Sequence, residues 1–291
     1  MNTKNSRYAY VFLVMKGDDY SIGAMVAAHS LKKTETKNDI ICMVTNDVSV
    51  SAINKLKLFF NQVILVNYIK FKTKEIKFKK IKKMYRDWIS SSFTKWNILT
   101  LKKYEKVMFL DADLIVKSNI DHLFELKTPA ATFSLSQERS IKNKRGVYNP
   151  YNNTHGKFVD RKCIQKGYGK YRNPSFVCIG TTLILSPSME HFNLYKKIIK
   201  KNEPFGFINC INGFDEQSIV WFYDNILKQR WTHIDPSYNM IPWKTNIWKH
   251  LAPPKILHYV GKNPWELNRN KWPDLAEWWE HYDVVSKMLL K

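Results

Sequence analysis

Apolar runs alternate with amphipathic stretches along the first 66 residues of the chain. The runs at 8–15, 40–44 and 63–66 predict buried strands, and the stretches 21–33 and 49–60 predict helices between them. Such alternation is typical of a parallel sheet with right-handed crossovers, in which ligands bind beyond the carboxyl ends of the strands. The pattern therefore predicts an α/β fold and directs attention to the residues that follow each strand.

The run at 107–116 contains two aspartates among apolar residues. Its apolar part is typical of a central strand that is buried on both faces. Isolated carboxylates are costly in such surroundings, so we expect a cation beside Asp111 and Asp113. In an extended chain these two residues point to the same side, and the small Ala112 leaves room between them. The run predicts a metal site; a capped turn at a strand end is the alternative.

The rest of the chain predicts further elements in a less regular order. We expect a buried amphipathic helix within 85–103 with Lys95 off its apolar stripe, and the following elements: a short helix at 121–126, strands at 130–135 and 177–185, and helices at 187–200, from Phe214, and at 274–291. Residues 137–176 contain ten Lys or Arg and two acidic residues, and they predict a long irregular insertion. We see no repeat or linker, so a single domain over 1–291 is expected.

The formal net charge is +22, from 47 Lys and Arg against 25 Asp and Glu. This excess favours an acidic partner, although scattered lysines are also typical of a solvated surface. The basic run 70–83 is either an anion-binding edge or a solvated loop. The apolar run 8–15 is too short to span a membrane and has no cleavage site after it. The four cysteines form no Cys-x-x-Cys pair, so we expect free thiols and a cytoplasmic location.

A third metal ligand is suggested by His258, which opens the sequence His-Tyr-Val-Gly-Lys-Asn-Pro-Trp. Carboxylates suit Mg²⁺ or Mn²⁺, and an imidazole ligand favours Mn²⁺. A lone histidine at a strand end is more often structural. Here, however, it is followed by Gly261, Lys262 and a rigid Pro-Trp pair, so this loop could bind a metal and a phosphate together.

The chain resembles the retaining glycosyltransferases of family 8, the glycogenin-like group, over roughly residues 8–266. Six features carry the resemblance in the family's order: Gly17-Asp18-Asp19-Tyr20 followed by Gly23-Ala24, Lys95, Asp111-Ala112-Asp113, Gly180, Glu216-Gln217, and the loop from His258 to Trp265. The resemblance implies a GT-A fold, in which a Rossmann-like nucleotide-binding sheet is continuous with an acceptor-binding part. It also implies transfer of a hexose, glucose favoured, from a UDP-sugar to a hydroxyl acceptor.

The resemblance further assigns roles to individual residues. Tyr20 stacks on uracil, Lys95 lies near the donor sugar and phosphates, and Lys262 contacts the diphosphate. The metal, Mn²⁺ with Mg²⁺ as the alternative, is bound by three residues: Asp111, Asp113 and His258. Four more belong to the donor site: Asp18, Ala112, Gly180 and Gly261. The polar groups expected nearest the anomeric carbon are Gln217, Glu216 and Asp215.

The sequence departs from the family pattern at three places. Glu216 stands where the family has Asp before Gln, with Asp215 just ahead of it, so either acid could bind the sugar. Asn263 stands where the family has a lysine, and Lys262 comes one place earlier. Cys178-Ile179-Gly180 replaces Asn-Ser-Gly, so one donor-sugar contact is missing.

The acceptor is expected to be a glycan or protein, an acidic one being an option, and to meet residues 137–176. A homodimer is a further option. Two other interpretations stay open at this point. One is a basic protein that binds nucleic acid, and the other is a glycosyltransferase fold without activity.

Overall fold

A computed structural model of the chain describes the following residues: 6–71, 88–134, 155–162, 164, 177–201, 214–242, 253–261 and 263–290. The chain forms two compact units. The first unit comprises Met1–Asn67, Val107–Glu125 and Ser237–Lys291, and the second comprises Tyr68–Lys106 and Leu126–Pro236. The single domain over 1–291 stays a prediction.

Nine strands are described: β1 (Tyr8–Val14), β2 (Asp39–Val44), β3 (Gln62–Leu65), β4 (Lys106–Phe109), β5 (Leu114–Val116), β6 (Ala130–Ser134), β7 (Val177–Leu185), β8 (Thr232–Ile234) and β9 (Ile256–His258). The described helices of more than five residues are α1 (Ser21–Lys33), α2 (Val50–Leu56), the 3₁₀ helix Ile89–Thr100, α3 (Met189–Lys201), α4 (Phe214–Trp221) and the C-terminal helix (Pro273–Leu289). Shorter helical segments include Asp121–Glu125, Phe222–Ile226 and Pro264–Glu266. The predicted α/β class is therefore confirmed.

The first unit is built on strands in the order β3-β2-β1-β4, of which β1, β2 and β3 run parallel. All but two residues of β1 are buried, which explains why its sequence lacks alternation. Helix α1 packs against β5 and against the C-terminal helix. The parallel strand–helix alternation that the sequence predicts for this region is present.

The run 107–116 is not one strand, which corrects the prediction from its apolar pattern. Strand β4 ends at Phe109, and the amide of Leu110 still donates to the carbonyl of Val11 at 2.9 Å. The chain then bends through 111–113 and enters β5, which pairs antiparallel with β9 in a separate two-stranded sheet. The two aspartates therefore lie at a bend between strands of different sheets.

The second unit holds strands in the order β7-β6-β8. Strand β6 is antiparallel to β7 and parallel to β8, so the sheet is mixed rather than wholly parallel as the first half of the chain predicts. The helix predicted within 85–103 is a 3₁₀ helix, and ten of its twelve residues are buried. Lys95, expected beside the apolar stripe, consequently lies in the interior.

Several predictions lie wholly or partly outside the described residues. Only Lys70 and Phe71 of the basic run 70–83 are described, and only 155–162 and 164 of the insertion 137–176. Lys262 lies outside as well. Cys42 has a free, buried thiol whose pKa is raised by burial. None of the described helices combines the length and apolar character needed to cross a bilayer.

Candidate active site

Asp111, Asp113 and His258 come together in the first unit, with one ligand atom of each lying within 4.8 Å of the others. His258 Nε2 is 3.2 Å from Asp113 Oδ1 and 3.6 Å from Asp111 Oδ2. The pairing of β5 with β9 produces this arrangement, because Leu114 lies opposite His258. The amide of Tyr259 also donates to the carbonyl of Asp113 at 2.8 Å. The predicted trio of metal ligands is thus brought to one point.

The spacing of these three residues fits a small divalent cation. In an octahedral site with bonds of about 2.1 Å, neighbouring ligand atoms are about 3 Å apart. The measured separations of 3.2 and 3.6 Å are close to that value. Two carboxylates and one imidazole are also a donor set that Mn²⁺ accepts.

Asn239 fixes the orientation of the His258 ring by accepting a hydrogen bond from Nδ1. His258 is buried, and its Nδ1 lies 2.8 Å from Oδ1 of Asn239. Because an amide oxygen can only accept, Nδ1 carries the proton of this hydrogen bond, which leaves Nε2 as the nitrogen that can bind a metal. Metal-binding histidines are usually held in this way. Nothing in the sequence singles out Asn239, which lies 19 residues before His258.

The turn before α1 is anchored by Asp18. Its carboxylate accepts hydrogen bonds from the amide and the hydroxyl of Ser49, at 2.8 and 2.6 Å. Ser49 in turn caps α2 by accepting from the amide of Ala52. These hydrogen bonds lower the pKa of the Asp18 carboxyl. The described contacts therefore connect Asp18 to α2, and its role in donor binding stays a prediction.

Tyr20 follows this turn and is 37% exposed. Its hydroxyl donates to Oδ1 of Asn263 at 3.2 Å, and its ring meets the edge of Trp265 at a centroid distance of 5.3 Å. Burial raises the pKa of Tyr20 to about 12, and the charge of Asp113 adds to the effect. The ring is therefore held in place by the 263–266 segment while part of it stays open to a ligand.

Trp265 packs on α1 at a place where the helix has no side chain. A Cβ at Gly23 would overlap the indole of Trp265 and would lie 2.7 Å from the carbonyl oxygen of Ala112. On its other side Trp265 contacts the buried Trp278 of the C-terminal helix, with centroids 6.0 Å apart. Gly23 thus permits the close approach of three parts of the first unit: α1, the bend at 111–113 (the aspartate bend) and the loop from His258 to Trp265 (the closing loop).

The second unit contains a buried cluster around Lys95. Its Nζ lies 2.6 Å from Oδ2 of Asp215 and 3.5 Å from Oε1 of Glu216. Burial by itself would raise the pKa of Asp215, but the adjacent ammonium and further hydrogen bonds lower it below its usual range. Asp215 is therefore an ionised carboxylate in the interior, and Gln217 is buried beside it in α4.

Gly180 lies in a bulge of β7. Ala131 pairs with Leu183 and Phe133 with Cys178, so Thr132 alone faces residues 179–182. Within this bulge Thr182 has a φ of +57° and is buried. A β-branched residue in this conformation is strained by about 1–3 kcal/mol, and such strain is concentrated at functional sites. The sequence pointed to Gly180 but gave no signal for the backbone conformation of Thr182, and the role of Gly180 in donor binding stays a prediction.

The predicted site residues therefore fall into two groups. The first unit holds Asp111, Asp113 and His258 together, with Tyr20 beside the closing loop and Gly261 in a turn with a φ of +75°. The second unit holds the predicted donor-sugar residues, with Lys95 paired to Asp215 and Glu216. Lys262 lies outside the described residues.

The architecture matches solved glycosyltransferases. The galactosyltransferase LgtC, crystallised with donor and acceptor sugar analogues, superposes with a TM-score of 0.60 at 15% identity over 95% of both chains. The chain therefore has the GT-A glycosyltransferase fold.

Sequence relatives point in the same direction. An uncharacterized protein of Acanthamoeba polyphaga mimivirus is 37% identical over 80% of this chain and 72% of its own length. Glycogenin-1 of Caenorhabditis elegans is 31% identical over 49% of this chain and 32% of its own length. UDP-glucuronate:xylan alpha-glucuronosyltransferase 2 of Arabidopsis thaliana is 24% identical over 91% of this chain and 36% of its own length. The chain spans about a third of each of these last two proteins.

The family model described as glycosyl transferase family 8 matches residues 12–169, which is more than half of the chain. That range includes the turn before α1, Lys95 and the aspartate bend. The chain belongs to glycosyltransferase family 8.

Proposed function

We propose that this chain transfers a hexose, with glucose favoured, from a UDP-sugar to a hydroxyl acceptor, in a reaction that depends on Mn²⁺ and retains the anomeric configuration. The observation that carries the proposal is the convergence of Asp111, Asp113 and His258 on one point. A nucleotide diphosphate leaves with growing negative charge as the glycosidic bond breaks.

A divalent cation held by these three side chains would supply positive charge that stabilises the diphosphate leaving group. The protein's own part is to fix the ligands in advance. The hydrogen bond from His258 to Asn239 selects the imidazole tautomer that can bind metal. The exposed part of the Tyr20 ring would stack on the uracil. We further propose that Lys262 contacts the diphosphate.

The donor sugar is assigned to Asp215, Glu216 and Gln217. In support, the ion pair with Lys95 keeps Asp215 in the ionised form, which accepts hydrogen bonds from sugar hydroxyls. Gln217 offers a neutral amide that can both donate and accept. We assign these three residues to orienting the anomeric carbon and Lys95 to holding the two acids in place.

Glucose is favoured because of the likeness to glycogenin, whereas the xylan relatives are named for glucuronate. A panel of UDP-glucose, UDP-galactose, UDP-N-acetylglucosamine, UDP-glucuronate and UDP-xylose, assayed by UDP release with Mn²⁺, tests the proposal. UDP-glucose is expected to turn over fastest. Faster release from UDP-glucuronate or UDP-xylose would overturn the glucose assignment, and no release from any donor would overturn the activity.

The acceptor is proposed to be a hydroxyl of a glycan or protein. We also propose that the protein works in a reducing compartment such as the cytoplasm, in keeping with the free thiol of Cys42.

A further inference from the structure

Phe158 is an exposed aromatic side chain at the edge of the second unit, with 40% of its surface accessible. It belongs to the described part of the basic segment 137–176. The amide of Val159 donates to the carbonyl of Trp231, and the amide of His233 donates to the carbonyl of Lys157. An antiparallel bridge pairs Phe158 with Thr232. This part of the segment is therefore fixed along β8, and Phe158 has a defined position.

Two cations lie over the ring of Phe158. The guanidinium carbon of Arg230 is 4.4 Å from the ring centroid, and Nζ of Lys127 is 5.7 Å from it. Both side chains are exposed, and within the described residues neither has a carboxylate partner. Arg161 of the same segment differs, because its Nε donates to the buried carboxylate of Asp224 at 2.6 Å. Arg230 and Lys127 thus keep charge available for a ligand.

The cluster lies at one end of two neighbouring strands of the second unit. Lys127 comes just before β6 and Arg230 just before β8, and these two strands run parallel. The cluster therefore lies at their amino ends. Ligands of α/β sheets bind at the opposite, carboxyl ends. A ligand on Phe158 would accordingly be held at a second site of the second unit.

We propose that Phe158, Arg230 and Lys127 form an anchoring site for one acidic sugar unit of a polysaccharide acceptor. This inference rests on the proposed function and takes the glycan option for its acceptor. The part of the Phe158 ring that the two cations leave exposed can pack against the apolar C–H face of a pyranose ring. A guanidinium that stacks on an aromatic ring keeps its N–H edge free to donate two parallel hydrogen bonds to a carboxylate.

A polysaccharide fits this cluster better than a nucleic acid does. Proteins that bind single-stranded nucleic acid stack successive bases on a series of aromatic rings along a basic groove. The described cluster has a single exposed ring with two cations, which matches one acidic sugar. This segment also contains Asp160, whose carboxylate accepts a hydrogen bond from the amide of Lys162 at 2.9 Å, so an acidic side chain interrupts the basic residues.

The test measures binding of a short oligogalacturonate, of a neutral malto-oligosaccharide of equal length and of a single-stranded DNA of equal charge. The variants are Phe158→Ala and Arg230→Gln. Lys102→Gln is the control, because it removes one positive charge from another exposed position of the same unit. We expect Phe158→Ala and Arg230→Gln to weaken oligogalacturonate binding at least about fivefold, and Lys102→Gln less than about twofold.

UDP release in the absence of acceptor and the thermal unfolding temperature should stay unchanged in all three variants, which shows that they fold. Equal losses of oligogalacturonate affinity in Arg230→Gln and Lys102→Gln would disprove the proposed anchoring site. The absence of oligogalacturonate binding to the wild type would disprove it as well. Tighter binding of the DNA, with the same dependence on Phe158, would assign the surface to nucleic acid instead. Wild-type protein that binds oligogalacturonate but releases no UDP from any donor would refute the proposed function alone.

Discussion

The indole of Trp265 occupies the space that a side chain at position 23 of α1 would need, so the closing loop rests on the bare backbone of Gly23. Ala112, which lies between Asp111 and Asp113, approaches the same glycine with its carbonyl oxygen. One small residue in α1 therefore permits the close packing of α1, the aspartate bend and the closing loop of the first unit.

Replacing Gly23 by alanine should destabilise the protein. In a helix interior this change normally stabilises by about 1 kcal/mol, so a loss of stability would report the clash directly. Displacement of Trp265 should also weaken UDP binding in the presence of Mn²⁺ at least about tenfold, or ~1.4 kcal/mol. Thermal unfolding and calorimetry measure the two effects.

The control is Ala27→Gly in the same helix, which loses helix propensity without touching the loop. It should lower stability and leave UDP affinity unchanged. A Gly23→Ala protein that is more stable than wild type and binds UDP normally would disprove the close-packing role.

Asn239 should matter to metal binding although it is not itself a ligand in the proposed site. Asn239→Leu removes the acceptor of the His258 Nδ1 proton, so the imidazole loses its fixed tautomer and orientation. Loss of such a partner typically weakens metal binding about 10–100-fold. Mn²⁺ affinity, measured by electron paramagnetic resonance without nucleotide, should fall by this amount, and Asn239→Asp should preserve it. Wild-type affinity in Asn239→Leu would show that the hydrogen bond has no such role.

Lys95 should be essential for stability because Asp215 is buried. In Lys95→Met the carboxylate is left without its main cation, and breaking a buried ion pair in this way costs about 3–5 kcal/mol. Lys95→Met combined with Asp215→Asn should recover part of the loss.

The loss of stability in Lys95→Met should be smaller at acid pH than at neutral pH. In the wild type the lowered pKa of Asp215 contributes stability that is present above the pKa of the unfolded chain and is lost as the pH falls through the folded pKa. In Lys95→Met this contribution is absent, so the difference between the two proteins should shrink at acid pH. Urea unfolding at neutral and at acid pH measures the difference in the free energy of unfolding between the two proteins. An equal difference at both pH values would contradict the ion pair between Lys95 and an ionised Asp215.

A histidine pair should make the protein sensitive to mild acid. Nδ1 of His29 in α1 lies 3.0 Å from Nδ1 of His281 in the C-terminal helix. Burial, then the neighbouring His281 and the lysines Lys32 and Lys33, lower the pKa of His29 to about 4. The pKa of His281 is lowered too, mainly by burial, against the opposing charges of Glu277 and Glu280.

In the unfolded chain His29 has the usual histidine pKa of about 6.5. Between about pH 6.5 and pH 4 the unfolded chain therefore binds a proton at His29, whereas the folded protein does not. Stability should therefore fall as the pH is lowered through this window. Thermal unfolding temperatures from pH 7.5 to 4.5 should fall less steeply in His29→Gln than in the wild type. Parallel curves for the two proteins would rule out this pair as a source of the acid sensitivity.

Local patterns were sufficient to predict much of this molecule. Strand β7 has the bounds that its apolar run predicts, and the Asp111–Asp113 pair meets His258 as expected. The apolar pattern did not predict the change of sheet after Phe109. Strands β4 and β5 are both buried, and a pattern of buried residues does not indicate which strands pair with each other. The burial of Lys95 and the support from Asn239 depend on contacts between distant parts of the sequence, which periodicity does not reveal.

The central claim is that Asp111, Asp113 and His258 bind the divalent cation on which UDP binding depends. Calorimetric titration of UDP into wild-type protein and into Asp113→Asn, each with Mn²⁺ and with excess EDTA, tests it most directly. We expect UDP to bind the wild type with Mn²⁺ at least about tenfold more tightly than in EDTA, and Asp113→Asn to lose this difference. Equal UDP affinity with Mn²⁺ and with EDTA in the wild type would contradict it.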